Sequence, residues 1–176
     1  GYGLAKFRFP GDRLIFGLVL SSIMVPFQVL MVPLFVVTQR LGLVNTLWGL
    51  VLPSGASAFG IFLMRQTIVS IPQDGLDAAR VDGCTELGVF VRVVVPLAKS
   101  GLVTLAVLAF LGNWNEIVWP IIIIFSEELW TLPLALTNIG SNPDYGIRYD
   151  RIMTLAVMMT VPVMLLYLFL SRYIVD

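Results

Sequence analysis

Ser70-Ile71-Pro72-Gln73 opens and Val93-Val94-Val95-Pro96 closes a polar stretch whose centre reads Asp77-Ala78-Ala79-Arg80-Val81-Asp82-Gly83-Cys84-Thr85-Glu86. The segments on either side are apolar enough to cross a bilayer, so this is a polar arm held at a membrane surface, where a soluble partner can dock. Its local chemistry predicts a helix-turn-helix. Ser70, Pro72 and Gln73 have the pattern of a capping box, with Ser70 accepting from the backbone and Gln73 reaching back, so a helix is expected to start there. That helix runs through Asp77, Ala78, Ala79 and Val81 to Gly83, the residue best suited to the left-handed conformation that ends a helix. Thr85 then caps a second helix through Phe90, Arg92 and Val93, until Pro96 stops it. Ala78 and Ala79 let a partner approach the backbone, while Asp77, Arg80, Asp82 and Glu86 supply a polar rim, as a helix seated in another protein's groove requires. The alternative is an amphipathic helix that lies on the lipid surface and only connects its neighbours.

Composition agrees with a membrane setting. Hydrophobic residues make up 58% of the chain, charged residues 12%, and mean hydropathy is +0.92, whereas soluble domains carry about 25% charge. Eleven basic residues balance eleven acidic ones, so net charge offers nothing to a nucleic acid. Cys84 is the single cysteine and histidine is absent, which removes an internal disulfide, a Cys/His zinc site and an imidazole base. In the bend of the arm, Cys84 reads as a small space-filler without a resolving partner. No repeat or low-complexity tract is present. No charged, then apolar, then small-residue leader precedes Phe7-Arg8-Phe9-Pro10, and the chain is expected to be a piece whose first part is absent.

Four segments approach the roughly 20 apolar residues needed to span a bilayer. They are residues 14–37, 46–64, 102–125 and 152–175. The second contains Pro53, Ser54, Gly55 and Ser57, residues more easily tolerated where helices pack closely, so it is expected inside a bundle. The first two are joined by a short link and are expected to form an antiparallel hairpin. If the Asp77 arm is cytoplasmic, Lys6, Arg8, Arg13, Arg65, Arg80, Arg92, Lys99 and Arg172 share its side, and only Arg40, Arg148 and Arg151 fall opposite. That bias orients the chain by the positive-inside rule. Trp48, Trp119, Trp130 and Tyr149 then lie near the external interface, where amphipathic rings are favoured. The external stretch 126–150, with Glu127, Glu128, Pro133, Asn142, Pro143 and Asp144, is expected to be a loop with a short helix.

Asn113, Asn115 and Glu116 sit inside the third segment. An ionised carboxylate at mid-bilayer costs about 2.5–3.5 kcal/mol on insertion scales, so Glu116 should face protein or water. Two readings remain open. These residues line the translocation path for a hydroxyl-rich solute, or Asn113 and Glu116, on one helical face, tie the bundle to a neighbouring helix. Trp114 likewise either stacks on a sugar ring or fills a helix interface. Pro26 and Pro33, nearly on one face of the first segment, mark a flexible gate helix or simply shape the bundle.

The spacing of the arm carries a resemblance. Asp77-Ala78-Ala79, three residues, Gly83, nine residues, then Val93-x-Val95-Pro96 is similar, with every gap preserved, to the Glu-Ala-Ala signature of the membrane subunits of bacterial ABC importers. Asp77, Val93 and Val95 replace the usual Glu, Ile and Leu. Gly1 to Gly11, Met24-Val25-Pro26, Ser57 to Gln66 and Asn113-Trp114-Asn115-Glu116 resemble the carbohydrate-uptake branch, the maltose-type permeases of the MalG kind. The resemblance implies an all-α, polytopic transmembrane bundle with four spans in this piece and a cytoplasmic coupling helix-turn-helix. It implies one permease domain over residues 1–176, lacking N-terminal spans. The implied function is a permease subunit of an ATP-driven, binding-protein-dependent importer for a sugar or polyol derivative, in the bacterial inner membrane.

In such a subunit Asp77, Ala78, Ala79 and Gly83 would form the docking helix and bend, while Val93, Val95 and Pro96 would anchor the second arm. The implied partners are cytoplasmic ATPase subunits, a second permease, an extracytoplasmic solute-binding protein and lipid. No cofactor is expected on this chain, ATP and Mg belonging to the ATPases; no Gly-x4-Gly-Lys-Ser/Thr loop occurs in the sequence. The chain is thus expected to be a transport subunit and not an enzyme. The rival is an ion-coupled secondary transporter with Glu116 as the proton site. An intramembrane enzyme is disfavoured by the missing histidine, the lone loop cysteine and the lack of a carboxylate pair within the spans.

Overall fold

The computed structural model describes residues 1–141 and 149–174, and every element among them is helical. In chain order these are α1 (Tyr2–Lys6), α2 (Asp12–Ile23), α3 (Phe27–Arg40), α4 (Leu47–Ser54), α5 (Ala58–Val69), α6 (Gln73–Val81), α7 (Glu86–Val89), a π turn (Phe90–Val94), α8 (Val95–Leu97), α9 (Lys99–Trp114), α10 (Val118–Ile123), a 3-10 turn (Glu127–Leu129), α11 (Leu132–Ser141) and α12 (Tyr149–Ile174). Asn142, Pro143, Asp144, Arg148 and Val175, assigned above to the external loop and last span, lie outside the described residues, as does the side chain of Arg172. The chain forms two compact units, the first from residues 1–26 and 56–108, the second from 27–55 and 109–176.

In the first unit α1 and α2 lie along α5. Ile68, Ile71, Leu76, Val89, Val94 and Ala98 form its buried cluster, so the core of this unit sits under the polar arm. At the base of the arm α9 meets α5 almost backbone to side chain. A Cβ on Gly101 would fall on the Thr67 hydroxyl and lie 2.6 Å from its methyl carbon.

In the second unit α10 packs on α3 and α4, and α11 packs on α12. Trp119, Ile123, Ile124 and Leu134 make its core. Asn45 joins two loops there from a left-handed backbone, φ +57°. Its amide oxygen accepts from the N–H groups of Phe125 and Ser126 at 2.9 and 3.0 Å, and its Nδ2 donates to Ser126 Oγ at 2.7 Å.

Among the described residues only α12 contains an unbroken span, Tyr149–Phe169, with hydropathy 2.2; three pairs of helices, each bent at a break, pass the same test together, giving up to four crossings. The first expected span is therefore not one rod. Pro26 has no N–H and its ring collides with the carbonyl four residues back, so α2 tightens into i−3 bonds, Met24 N–H to Ser21 O and Val25 N–H to Ser22 O. Pro33 stays inside α3. The second breaks after Pro53, and Ser57 caps the next helix by accepting from Gly60 N–H at 3.2 Å. The third stops being helical at Trp114 and resumes at Val118. Of the aromatic residues expected at the interface, Trp119 turns into the protein. It is buried, its Nε1 donating to Gly49 O at 3.0 Å, whereas Trp48 and Tyr149 are exposed.

Candidate functional site: the polar arm and the Glu116 break

The first helix of the arm begins at Gln73, but not by a capping box. Pro72 occupies the N-cap position and contributes no side-chain bond. Ser70 instead closes the preceding helix, its hydroxyl donating to Thr67 O at 2.7 Å, and Gln73 Nε2 donates forward to Asp77 Oδ1 at 3.2 Å. The proline between them explains the change: it fixes the chain direction so that Ser70 remains in the last turn of α5. Asp74 still sets a negative charge in the first turn, where the helix dipole favours it.

Leu76 is fully buried and seats α6 on the core cluster, with Ala79 packed beside it. The end of α6 is a Schellman motif: Cys84 N–H donates to Ala79 O and Gly83 N–H to Arg80 O, both at 3.0 Å, with Gly83 at φ +83°. Cys84 is free and half-buried against the same cluster, a space-filler as expected. Thr85 then caps α7, accepting from Gly88 N–H at 3.2 Å. Arg80 staples the two sides of the bend. Its guanidinium meets Asp77 Oδ1 at 2.6 Å and Glu86 Oε1 at 2.7 Å. The hydrogen bond from Arg80 is the main cause holding the Glu86 carboxyl below its ordinary range.

Pro96 does not stop the second helix. The widened π turn over Phe90–Val94 precedes it, Pro96 enters the first turn of α8, and helix continues to Leu97. A five-residue hydrogen-bond step makes room where the proline ring would clash and where its missing N–H would leave a gap. The helix axis then turns by 75° into α9.

The structure thus sorts the sequence candidates. Asp77 and Ala78 face outward on α6, Gly83 forms the bend, and Ala79 faces the core. Val93 packs partly buried against the cluster, Val95 is half-buried and Pro96 exposed. Sequence reading missed Val81, 87% exposed, and Leu87, 72% exposed. These two apolar side chains flank the bend beside Ala78. The signal was available, because Asp74, Ala78 and Val81 recur at i, i+4 and i+7, one helical face opposite Leu76. Chemically the arm is a wedge bridged across its bend by the Arg80 ion pairs, with small and apolar side chains on its outer surface, the form of a helix that fits a complementary groove.

Asn113 and Glu116 do not share a helical face. Asn113 is in the last turn of α9, and Glu116 lies in the break. Asn113 Nδ2 donates to Ala109 O at 2.7 Å and Asn115 Nδ2 to Leu111 O at 2.8 Å, so both amides close their own helix end. Both residues are exposed. Glu116 Oε1 accepts from the N–H groups of Val118 and Trp119, at 2.8 and 3.2 Å, and so caps α10. Trp114 donates from Nε1 to Met159 O at 3.0 Å and stacks on Phe110, which places it in a helix interface. Glu116→Ala should remove that cap and destabilise the protein by about 1 kcal/mol, lowering Tm by about 2–4 °C. Glu116→Gln keeps an acceptor and should recover most of the loss; equal melting of the two variants would contradict the cap.

Residues 1–175 match the family described as "Binding-protein-dependent transport system inner membrane component". The arabinooligosaccharides transport system permease protein AraQ of Bacillus subtilis is 41% identical over 176 residues, 100% of this chain and 62% of that protein. The lactose transport system permease protein LacG of Rhizobium radiobacter is 35% identical, over 100% of this chain and 64% of that protein. The crystal structure of a bacterial ABC transporter involved in the import of the acidic polysaccharide alginate is similar with a TM-score of 0.81 and 27% identity, over 98% of this chain and 65% of that one. The chain therefore spans about 62% of the length of the AraQ relative. Helical elements that cross in bent pairs, an arm with the Ala-Ala-x3-Gly bend, and a match running through nearly every residue have one common explanation: this chain belongs to the family of inner membrane components of binding-protein-dependent transport systems.

Proposed function

We propose that the chain acts as a membrane-spanning permease subunit of an ATP-driven, binding-protein-dependent importer for a sugar or polyol derivative in the bacterial inner membrane. The observation that carries this reading is the arm. Ala78, Val81 and Leu87 stand outward on a bend locked by the Gly83 turn and the Arg80 ion pairs, and such a wedge suits a groove on a cytoplasmic ATPase. Family membership supports the class of system, and the cargoes in the relatives' names, arabinooligosaccharides, lactose and alginate, support a carbohydrate.

In this reading Asp77, Ala78 and Gly83 belong to the docking surface, joined by Val81 and Leu87. Ala79 and Val93 hold the wedge to its own core, Val95 stands half-buried, and Pro96 lies between the π turn and the bend that redirects the chain into α9. ATP and Mg sit on the ATPase subunits. Closure of an ATPase pair around nucleotide displaces the seated arms and biases the permease between inward- and outward-facing states, only as far as docking favours one of them. A second permease and an extracytoplasmic solute-binding protein complete the assembly. Asn113, Asn115 and Glu116 are the polar groups proposed beside the path, with Glu116 shaping it through the α10 cap.

Uptake into proteoliposomes holding the whole assembly distinguishes this from ion coupling. Transport should require ATP and persist when a protonophore collapses the gradient. Uptake that survives without ATP and stops with the protonophore would sink the importer reading. Glu116 offers the rival little, since its Oε1 is already engaged by two backbone donors.

A further inference from the structure

We infer that the short helix α1 is a strap that fuses the arm to the inner ends of two spans, with Tyr2 as the positioning residue that fastens it. The inference rests on the docking role proposed for the arm and adds how displacement leaves it.

Tyr2 meets the far side of the bend in two ways. Its ring lies 5.1 Å from that of Phe90, and its hydroxyl donates to Glu86 Oε2 at 3.3 Å. Phe7 also packs edge-on against the Tyr2 ring, with centroids 5.5 Å apart, so the phenol has two aromatic neighbours. Burial first, then the neighbouring Glu86 charge, raises the Tyr2 hydroxyl above its ordinary value. Through Glu86 the contact continues to Arg80, Asp77 and Gln73, a run of hydrogen bonds that crosses the bend from α7 to the start of α6.

The other end of α1 is fastened to the spans. Lys6 Nζ donates to Ile71 O at 2.7 Å, at the joint between α5 and α6. Arg65 of α5 donates from Nε to Leu4 O at 3.0 Å, and the same guanidinium lies 4.0 Å over the Phe16 ring of α2. A Cβ at Gly1 would stand 2.9 Å from Met64 Cβ, so the strap also touches α5 at its beginning. One five-residue helix therefore contacts α7, the π turn, the α5–α6 joint and α5 itself, and reaches α2 through Arg65. With the strap fastened, displacement of the arm moves α5 and α2 with it. Released, the arm can tilt about residues 70–72 and 98 while the spans stay behind.

The test uses the complete transporter in proteoliposomes, reading ATPase retention, ATP hydrolysis and solute uptake on one preparation. Tyr2→Ala should retain the ATPase at the wild-type ratio and still hydrolyse ATP, while solute moved per ATP falls about tenfold. Lys6→Met, which frees the opposite end, should lower the same ratio, and Tyr2→Phe, which keeps the ring, should fall between Tyr2→Ala and wild type. Wild-type solute per ATP in Tyr2→Ala overturns the strap and leaves the docking proposal standing. Loss of the ATPase in both Tyr2→Ala and Tyr2→Phe also overturns it, because Tyr2 would then belong to the docking surface. A wild-type transporter that never retains an ATPase fails one step earlier, at the docking proposal.

Discussion

Gly83→Val should weaken ATPase association of the assembled permease by about 5- to 30-fold, because an L residue forced into left-handed backbone costs about 1–2 kcal/mol and a β-branched one sits at the high end. Gly83 has φ +83°, and a Cβ there would meet nothing within 4 Å, so the penalty is purely conformational. The substitution acts by lowering the fraction of arms whose bend is correctly closed, and apparent affinity falls with that fraction. Gly75→Ala is the matched control. It lies inside α6 with equally open space and ordinary backbone, and it should leave association intact while firming the helix by about 0.5–1 kcal/mol. Quantitative co-purification in detergent reads both. Equal ATPase recovery from Gly83→Val and wild type would remove the bend from the docking account.

Gly49→Val should be the most damaging single change in the second unit. A Cβ at Gly49 would run into the Leu43 carbonyl oxygen and stand 2.8 Å from Ile123 Cδ1. Neither neighbour is free to yield. Leu43 O accepts from the Thr46 hydroxyl at 2.7 Å, Ile123 is fully buried, and Gly49 O itself receives the Trp119 indole. Overpacking against fixed backbone costs about 3 kcal/mol or more, enough to lower Tm by roughly 6–12 °C in a chain of this size. Gly112→Ala, a helical position with open space around it, should melt within a degree or two of wild type. A Gly49→Val protein that melts like wild type would show the α4–loop contact to be looser than these distances.

The arm was the most legible part of the chain because its features are local. A glycine that takes a left-handed turn and a threonine that caps the next helix act within a few residues, and both occur where the spacing places them. The apolar segments were legible as membrane-crossing material but not as shapes. Hydropathy sums over a window, whereas a helix breaks at single atoms: the absent N–H of Pro26, the Ser57 hydroxyl that restarts α5, the Glu116 carboxylate that restarts α10. Glu116 was placed on a helical face with Asn113 because a three-residue interval implies helix on both sides, and here the helix ends between them. Asn45 carried no sequence signal at all. Its bonds reach Phe125 and Ser126, some eighty residues onward, and only the fold brings those loops together. Ser70 and Gln73 show the opposite error, a true motif pattern interrupted by the one residue, Pro72, that changes where the chain goes.

The near-contact of Gly101 with Thr67 gives the arm a pinched neck. No layer of flexible side chains separates the rods entering and leaving it, and the Thr67 hydroxyl is itself tied to Leu63 O. On the docking role proposed for the arm, this neck resists splaying of its roots, so that a push on the protrusion would reach both rods together, as a common tilt.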